Sequence, residues 1–537
     1  MYTRVACTLY LLLIVCHGLP SRKRLSKHIF HHDTLNYDRQ AVQLQHERMR
    51  RSTLNGDVVQ NHWKPLKIQF TALDREFSLL LFPGDDILAP GADFVVHSAD
   101  GSKKANFDSS VLYKGSLEHD QGSSVHGYIL DGIFDGVITT QQEEYHIEVA
   151  EKFFNQPGEF HSVIYAVSDV DFSAINGSQA SCGGSGKAYE KLREIQSTAA
   201  KPTAKQLHSF RTKRALSPDN RFCLVYVAAD QLFYDNVGRS DDTVTMSEIA
   251  TRMTSVNGIF SGTDFDFDGG VDSIGFHIGR IGILRSSDPG YRYGAANIAV
   301  TDFLDLWSQE NHDEFCLALL LTYRDFDGGV LGLAWVAEAP GGNRGGICET
   351  RLRLSVGQRN LNSAIVTFLN FGNTQPRPVT IITMAHEFGH NFGSPHDPNP
   401  SSDCSPGGSQ GNFLMFPSAT DGNLPNNNRF SPCSRRSILA VLSTKSDCFQ
   451  GVRQFCGNGI IEGNETCDCG SPTECPDRDP CCRADMTCQL ISSAVCTPQN
   501  AQTVCCTEQC QYVTAASNQE CSSGTDCARS ANCKYPC

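Results

Sequence analysis

One run constrains this chain more than any other: His386–Glu387–Phe388–Gly389–His390–Asn391–Phe392–Gly393–Ser394–Pro395–His396–Asp397. His386 and His390 are four apart, so on a helix both imidazoles leave the same face. Gly393 lets the chain quit the helix in a left-handed turn, which brings His396 round as a third nitrogen donor. Three protein ligands leave one position of a zinc ion open, the pattern of a catalytic rather than a structural site. Glu387 adjoins the first ligand. There it can reach a water without binding metal itself, which suits a general base. A bare H-E-x-x-H is weak evidence, but here the glycine, third histidine and aspartate each add a geometric task. Met415, in Asn412–Phe413–Leu414–Met415, is expected as the apolar floor beneath the three histidines.

The whole chain has 537 residues, too many for one core, so three or four folded units are expected. A hydrophobic share of 40% with 19% charged residues is globular rather than disordered. The formal net charge of −14 argues against a nucleic-acid partner. Arg4, the apolar run Val5 to Cys16 and then Gly18 predict a cleaved signal peptide over residues 1–18. That run falls short of the roughly 20 apolar residues of a spanning helix. No later segment is apolar enough to cross a bilayer, so the processed chain is expected to be secreted.

The 24 cysteines support export. Cys182 stands alone, six fall between Cys223 and Cys448, and fifteen crowd into Cys456 to Cys537. That gradient predicts a large domain with a few bridges followed by a small one that depends on them.

Three parts follow the signal. Residues 19–214 alternate in stretches such as Lys67–Phe70 and Val125–Leu130, which predicts a mostly-β propeptide. A polar segment from Ser197 ends in Arg211–Thr212–Lys213–Arg214, an R-x-K-R pattern open to a furin-like convertase, with Arg211, Lys213 and Arg214 as its basic residues. Residues 215–450 alternate between strands (222–229, 276–284, 315–323, 331–336, 364–369) and helices (242–260, 297–309, 380–391), the last set up by Pro376 and Pro378. That order predicts an α/β domain with a mixed, mainly parallel sheet. Residues 451–537 are expected to form a small disulfide-rich module.

Beyond the histidine run, Cys456–Gly457–Asn458 and Cys467–Asp468–Cys469–Gly470 resemble the disintegrin-and-metalloproteinase family of metzincins. The stretch Asp325–Phe326–Asp327–Gly328–Gly329–Val330–Leu331–Gly332–Leu333–Ala334–Trp335–Val336, and the Ser394–Pro395 before the third histidine, look like its Kuzbanian or α-secretase branch. The resemblance covers about residues 60–537 and implies a zinc metalloendopeptidase that sheds ectodomains of membrane proteins, Notch-type receptors and amyloid-precursor-like proteins among them. It implies bridges Cys223–Cys316, Cys348–Cys448 and Cys404–Cys433, although sequence alone leaves 15 pairings open. Members of the branch usually continue into a longer cysteine-rich region and a membrane helix. This chain reads as a truncated or soluble form, with a cell-surface location reserved for a longer one. Fifteen cysteines in the last module also leave one without a partner inside it.

Weaker signals complete the reading. Cys182 could occupy the open zinc position as a thiolate and hold the precursor latent, although Ser181–Cys182–Gly183–Gly184 matches stricter switch motifs poorly. Asn458, Glu462, Glu465, Asp468 and the Ile460 carbonyl have the spacing the family uses for structural calcium. Asp264–Gly269 opens like an EF-hand, but Gly275 stands where the twelfth-position glutamate belongs, so a calcium loop is rejected there. His28, His31 and His32 read as a solvated tail. Asn176 and Asn464 head glycosylation sequons. The competing function is a soluble adhesion module acting through the disintegrin region. No Arg-Gly-Asp occurs and Gln511–Glu520 has only Glu520 as an acid, so integrin binding is not expected.

Overall fold

A computed structural model describes residues 24–54, 65–156, 158–172, 187–199, 220–339, 344–399, 403–418 and 422–451, with parts of 465–512. The N-terminal part contributes β1 (Asp33–Leu35), α1 (Arg39–Leu54), β2 (Leu66–Ala72), β3 (Arg75–Pro83), β4 (Leu88–Ser98), β5 (Gly101–Lys104), β6 (Leu112–Leu117), β7 (Asp120–Leu130), β8 (Ile133–Thr139), β9 (Glu144–Val149), β10 (Ser162–Ala166) and α2 (Lys187–Ser197). Eight of these strands form an antiparallel sheet in the order β1-β10-β9-β8-β7-β6-β3-β2. Its inward residues alternate along each strand, as Leu66 and Ile68 of β2 or Phe77, Leu79 and Leu81 of β3, and α1 closes the same core with Val42 and Met49.

The second part holds β11 (Asn220–Ala229), α3 (Gln231–Asn236), α4 (Asp242–Ser261), β12 (Gly275–Leu284), α5 (Val300–Ser308), β13 (Leu317–Thr322), β14 (Gly332–Ala334), β15 (Leu352–Leu354), β16 (Gly357–Arg359), β17 (Ser363–Thr367), α6 (Arg377–Asn391) and α7 (Pro432–Lys445). Its sheet runs β14-β17-β13-β11-β12-β4-β5. β17, β13, β11, β12 and β4 are parallel neighbours, while β14 at one end is antiparallel to β17. Burial on both faces explains the near-continuous apolar strands. Along β11, Val225, Val227 and Ala229 face a core shared with α4 and α6. Tyr226 and Ala228 face the opposite core, shared with α5 and with Leu192 of α2.

Two expectations need correction. The metal-site helix begins at Arg377, with Pro376 as its N-cap and Pro378 inside the first turn, because proline fits there without losing a helical hydrogen bond. The N-terminal part also contributes strands to the second sheet. β4 pairs with β12 from Ile278↔Leu88 to Leu284↔His97 and, with β5, extends the second sheet. An open parallel edge of amides and carbonyls recruits any strand that fits, and chain distance does not forbid it. His28 and His32 are buried rather than solvated. The segment is drawn inward by an Ile29↔Val170 bridge and by Phe30 N–H donating to Asp169 O at 2.9 Å.

The two parts also share a buried ionic seam. Arg377 pairs with Asp135 and lies 3.4 Å from Glu248 and 3.6 Å from Glu148. Lys152 Nζ reaches Glu248 at 2.5 Å, Glu148 at 3.0 Å and Asp135 at 3.1 Å. Arg252 pairs with Glu248 one helical turn away. Asp135, Glu148 and Lys152 sum to −1, while Glu248, Arg252 and Arg377 sum to +1, so each side neutralises the other. Burial pushes the Glu148 carboxyl up, but Lys152 and Arg377 overcome it and hold it at about 2. Glu248 is likewise held well below its usual range against burial, chiefly by Lys152 and Arg252.

Six cysteines of the second part form Cys223–Cys316, Cys348–Cys448 and Cys404–Cys433. Further along, the described residues include Cys467–Cys482, Cys469–Cys475, Cys481–Cys510 and Cys496–Cys506. No described helix is long and apolar enough to cross a membrane.

Candidate metal centre

Helix α6 presents His386 and His390 from one buried face, and His396 returns from the following loop. The return depends on Gly393, whose φ is +100° and whose missing Cβ would strike Val441. The three rings converge, with centroids 4.7, 4.8 and 5.3 Å apart. His386 Nδ1 donates to Leu414 O and His390 Nδ1 donates to Ser394 O, each at 2.7 Å. A carbonyl can only accept, so both Nδ1 atoms carry the proton and both Nε2 atoms keep a lone pair.

His386 Nε2 is buried without a hydrogen-bond partner, and His390 Nε2 lies 3.3 Å from His396 Nε2. Two ligands about 2.0–2.1 Å from a tetrahedral zinc stand roughly 3.3–3.4 Å apart. The observed separation therefore fits that ion. Burial lowers the His386 pKa to about 4 and, together with His386, that of His396 to about 3. His390 is lowered well below its usual value, by burial first and by the other two rings next. All three are neutral at physiological pH, as ligands must be.

Met415 lies fully buried under the helix. A Cβ at Gly389 would collide with its sulfur, so this glycine makes the space for it. Met415 O accepts Asp397 N–H at 2.8 Å, and Asp397 in turn accepts from Ser431 and Ser434 at the start of α7. Asn391 Nδ2 donates to Trp335 O at 2.8 Å and Ser363 O at 3.2 Å, pinning α6 to the strands beside it. Glu387 is wholly buried against β14. A Cβ on Gly332 would lie 2.6 Å from its Oε1. The carboxylate thus lies against β14, the end strand of the sheet.

Residues 243–444 match the reprolysin-like metallopeptidase family M12B. The chain is 34% identical over 537 residues to disintegrin and metalloproteinase domain-containing protein 10 of Bos taurus, spanning 95% of this chain and 68% of that protein. It is 35% identical over 555 residues to protein 10 of Mus musculus, spanning 98% and 71%. The protein 10 homolog of Caenorhabditis elegans is 35% identical over 538 residues, spanning 88% and 57%. The chain belongs to the disintegrin-and-metalloproteinase family. It is a metalloendopeptidase, and its substrates are proteins.

Within this family member, several functional residues escaped the sequence reading. Gly332 and Gly389 make room for groups that only the fold brings near, and the carbonyls of Leu414 and Ser394 carry no side-chain signature. Glu465 and Asp468 lie close together beside Cys488, whereas Asn458, Ile460 and Glu462 fall outside the described residues. So do Cys182, Arg211, Lys213, Arg214, Asn176 and Asn464. At Asp264–Gly269, where no calcium loop is expected, the carboxylates of Asp264 and Asp266 gather with that of Asp272, Asp264 pairs with Arg435 at 2.9 Å, and Phe265 N–H donates to Asp272.

Proposed function

We propose that this chain is the precursor of a zinc endopeptidase that cuts the ectodomains of membrane proteins. Zinc is held by His386, His390 and His396. The observation that carries the reading is the convergence of the three rings: Nδ1–carbonyl bonds leave His386 and His390 each with an Nε2 lone pair, and His390 Nε2 stands 3.3 Å from His396 Nε2, with Glu387 on the helix that carries the first two. When bound, zinc supplies a Lewis acid that makes water nucleophilic near neutral pH and polarises the scissile carbonyl. Glu387 accepts the proton from the attacking water and delivers it to the leaving amine. Gly332 leaves that carboxylate its place against β14, and Met415 holds the histidine helix at its level.

Maturation in this reading follows secretory export and a cut after Arg214 by a furin-like convertase, with Cys182 contributing a latency thiolate. Glu465 and Asp468, with Asn458, Glu462 and the Ile460 carbonyl, are the oxygen set for a structural calcium. The choice of membrane-protein substrates rests on the likeness to the protein 10 relatives.

The test uses mature enzyme with two substitutions. Glu387→Ala is expected to retain one zinc per chain by elemental analysis while losing about 10²–10⁴-fold in peptidase turnover. His390→Ala is expected to lose both metal and turnover. Full turnover by the Glu387 variant would remove it from the mechanism, and undiminished zinc in the His390 variant would remove the metal assignment.

A further inference from the structure

Two disulfides of the second part stand side by side. Cys223 of β11 is bonded to Cys316 just before β13, and Cys348 is bonded to Cys448 just beyond α7. The sulfurs of Cys316, Cys348 and Cys448 all lie within 4.8 Å of one another. The backbones are tied as well, since Cys348 N–H donates to Cys316 O at 3.1 Å. A sulfur released from one bridge is therefore left beside the other.

Access to the two bridges differs. Cys223 and Cys316 are buried in the core, whereas Cys348 and Cys448 are half-buried, and Cys448 has exposed Asp447 beside it. A thiolate must reach a sulfur to open a disulfide, so an outside thiol meets Cys448 first. Cys348 has a φ of +57°, a left-handed backbone that a cysteine adopts only where its surroundings impose it. Those surroundings do not depend on the bridge alone. Lys445 Nζ donates to Gly345 O at 2.6 Å and meets Glu349 at 3.0 Å, and Arg344 meets Glu349 at 2.5 Å. Ile347 N–H donates to Asn391 O at 2.9 Å. A segment held on both sides of Cys348 keeps its freed sulfur next to Cys316.

We propose that the two bridges form a thiol–disulfide exchange site for an external dithiol, in which Cys348 passes from Cys448 to Cys316. One thiolate of the dithiol bonds to Cys448 Sγ as the Cys348–Cys448 bond breaks, and Cys348 leaves as a thiolate. Cys348 Sγ then bonds to Cys316 Sγ as the Cys223–Cys316 bond breaks, and Cys223 leaves as a thiolate. The second thiol of the reagent displaces Cys448 and closes the reagent's own disulfide. The dithiol is oxidised by two electrons, and its two protons end on Cys223 and Cys448. Two protein bridges become one, Cys316–Cys348. The covalent tie leaves the end of α7, whose Val441 backs Gly393 where the chain quits the metal helix, and Lys445 holds that end in its place. The proposal stands on sulfur chemistry and does not rest on the peptidase reading.

The test uses the full chain, folded, with limiting dithiothreitol, an acid quench, alkylation and peptide mapping by mass spectrometry. The Cys348–Cys448 peptide is expected to give way to a Cys316–Cys348 peptide, with Cys223 and Cys448 alkylated. Alkylation of Cys348 together with Cys448 while Cys223–Cys316 stays intact would overturn the proposal. So would loss of both bridges in one step with no Cys316–Cys348 peptide at any dose. Two variants approach the same bridge from opposite sides with no reductant added. Cys448→Ser frees Cys348 to attack Cys316, and Cys223→Ala frees Cys316 to attack Cys348. Both are expected to end in Cys316–Cys348, with the displaced cysteine alkylated. Folded variants that each keep the surviving native bridge would overturn the proposal too. Where a variant fails to fold, the map of the unsubstituted chain decides the matter by itself.

Discussion

The metal centre and the ionic seam sit at opposite ends of one helix, and they are built by opposite rules. At the C-terminal end of α6, three neutral histidines are placed by spacing, by one left-handed glycine and by two carbonyls. At its N-terminal end, Arg377 is placed by carboxylates as far as 242 residues away in sequence. The first site is compact along the chain and keeps its lone pairs unspent for a ligand. The second is scattered along the chain and leaves no charge uncompensated. A helix N-terminus favours negative charge, yet the first turn of α6 carries no acid of its own. Asp135 and Glu148 supply that charge from the other part. The helix bearing the metal ligands is thus completed electrostatically by a segment expected to be removed.

The contrast can be broken most forcefully at Arg377. Arg377→Met in the precursor leaves Asp135, Glu148 and Glu248 with only Lys152 and Arg252, a buried negative excess. Breaking a buried pair from one side costs about 3–5 kcal/mol. The expected result is that much lost stability in denaturant melts of the precursor. The loss is smaller in mature enzyme, where Asp135 and Glu148 are gone and only Glu248 remains beside the substituted position. Equal losses in both forms would mean that the seam serves the second part alone.

The same contrast explains what was legible beforehand. The i, i+4 histidines, Gly393 and Met415 could be read because helical geometry turns spacing into position. The apolar runs at 222–229 and 276–284 identified parallel strands because burial on both faces removes alternation. The joining of β4 to β12 was not legible, since an edge strand pairs through its backbone and leaves no side-chain code for its partner. Arg377, Glu248 and Asp135 carry no shared motif along the chain, and only the fold brings them together. His28 and His32 looked solvated for the same reason: one-dimensional context cannot show the bridge from Ile29 to Val170.

A finer test works on the catalytic end. Gly332→Ala puts a Cβ about where Glu387 Oε1 lies, 2.6 Å away, so the carboxylate must move. Alanine is no worse than glycine in a strand, so the fold is expected to hold. Misplacing a catalytic group by about 1 Å costs on the order of 10²-fold. The expected outcome for mature enzyme is that loss in kcat with zinc content and melting temperature unchanged. A variant with parental kcat would show that the carboxylate has room to spare, and that its place is less fixed than that of the histidines.

The smallest effect sharpens the seam rather than breaking it. His126 of β7 hydrogen-bonds Ser255 of α4 at 2.8 Å across the join between the two parts. Burial lowers its pKa to about 4, with Glu144 opposing and His146 and Arg377 assisting. The free ring titrates near 6.5. Its neutral form is therefore the one the join accepts. The contribution is complete above about pH 6.5 and is lost as pH falls toward 4, because the separated propeptide takes up a proton that the complex refuses. The carboxylates beside it do not share this window: Glu148 is held at about 2, and Glu144 and Glu248 are lowered too. His126 borders the cavity between the parts and keeps some solvent contact. A tenfold weakening per pH unit is therefore the upper bound. Gel filtration of the processed, non-covalent complex between pH 7 and 5 should show the propeptide held less tightly at the acid end. His126→Gln, which keeps a partner for Ser255 but cannot charge in that range, should flatten the dependence. If the glutamine variant releases its propeptide as steeply as the parent, the acid sensitivity resides elsewhere, and the seam is controlled by proteolysis and not by protons at this ring.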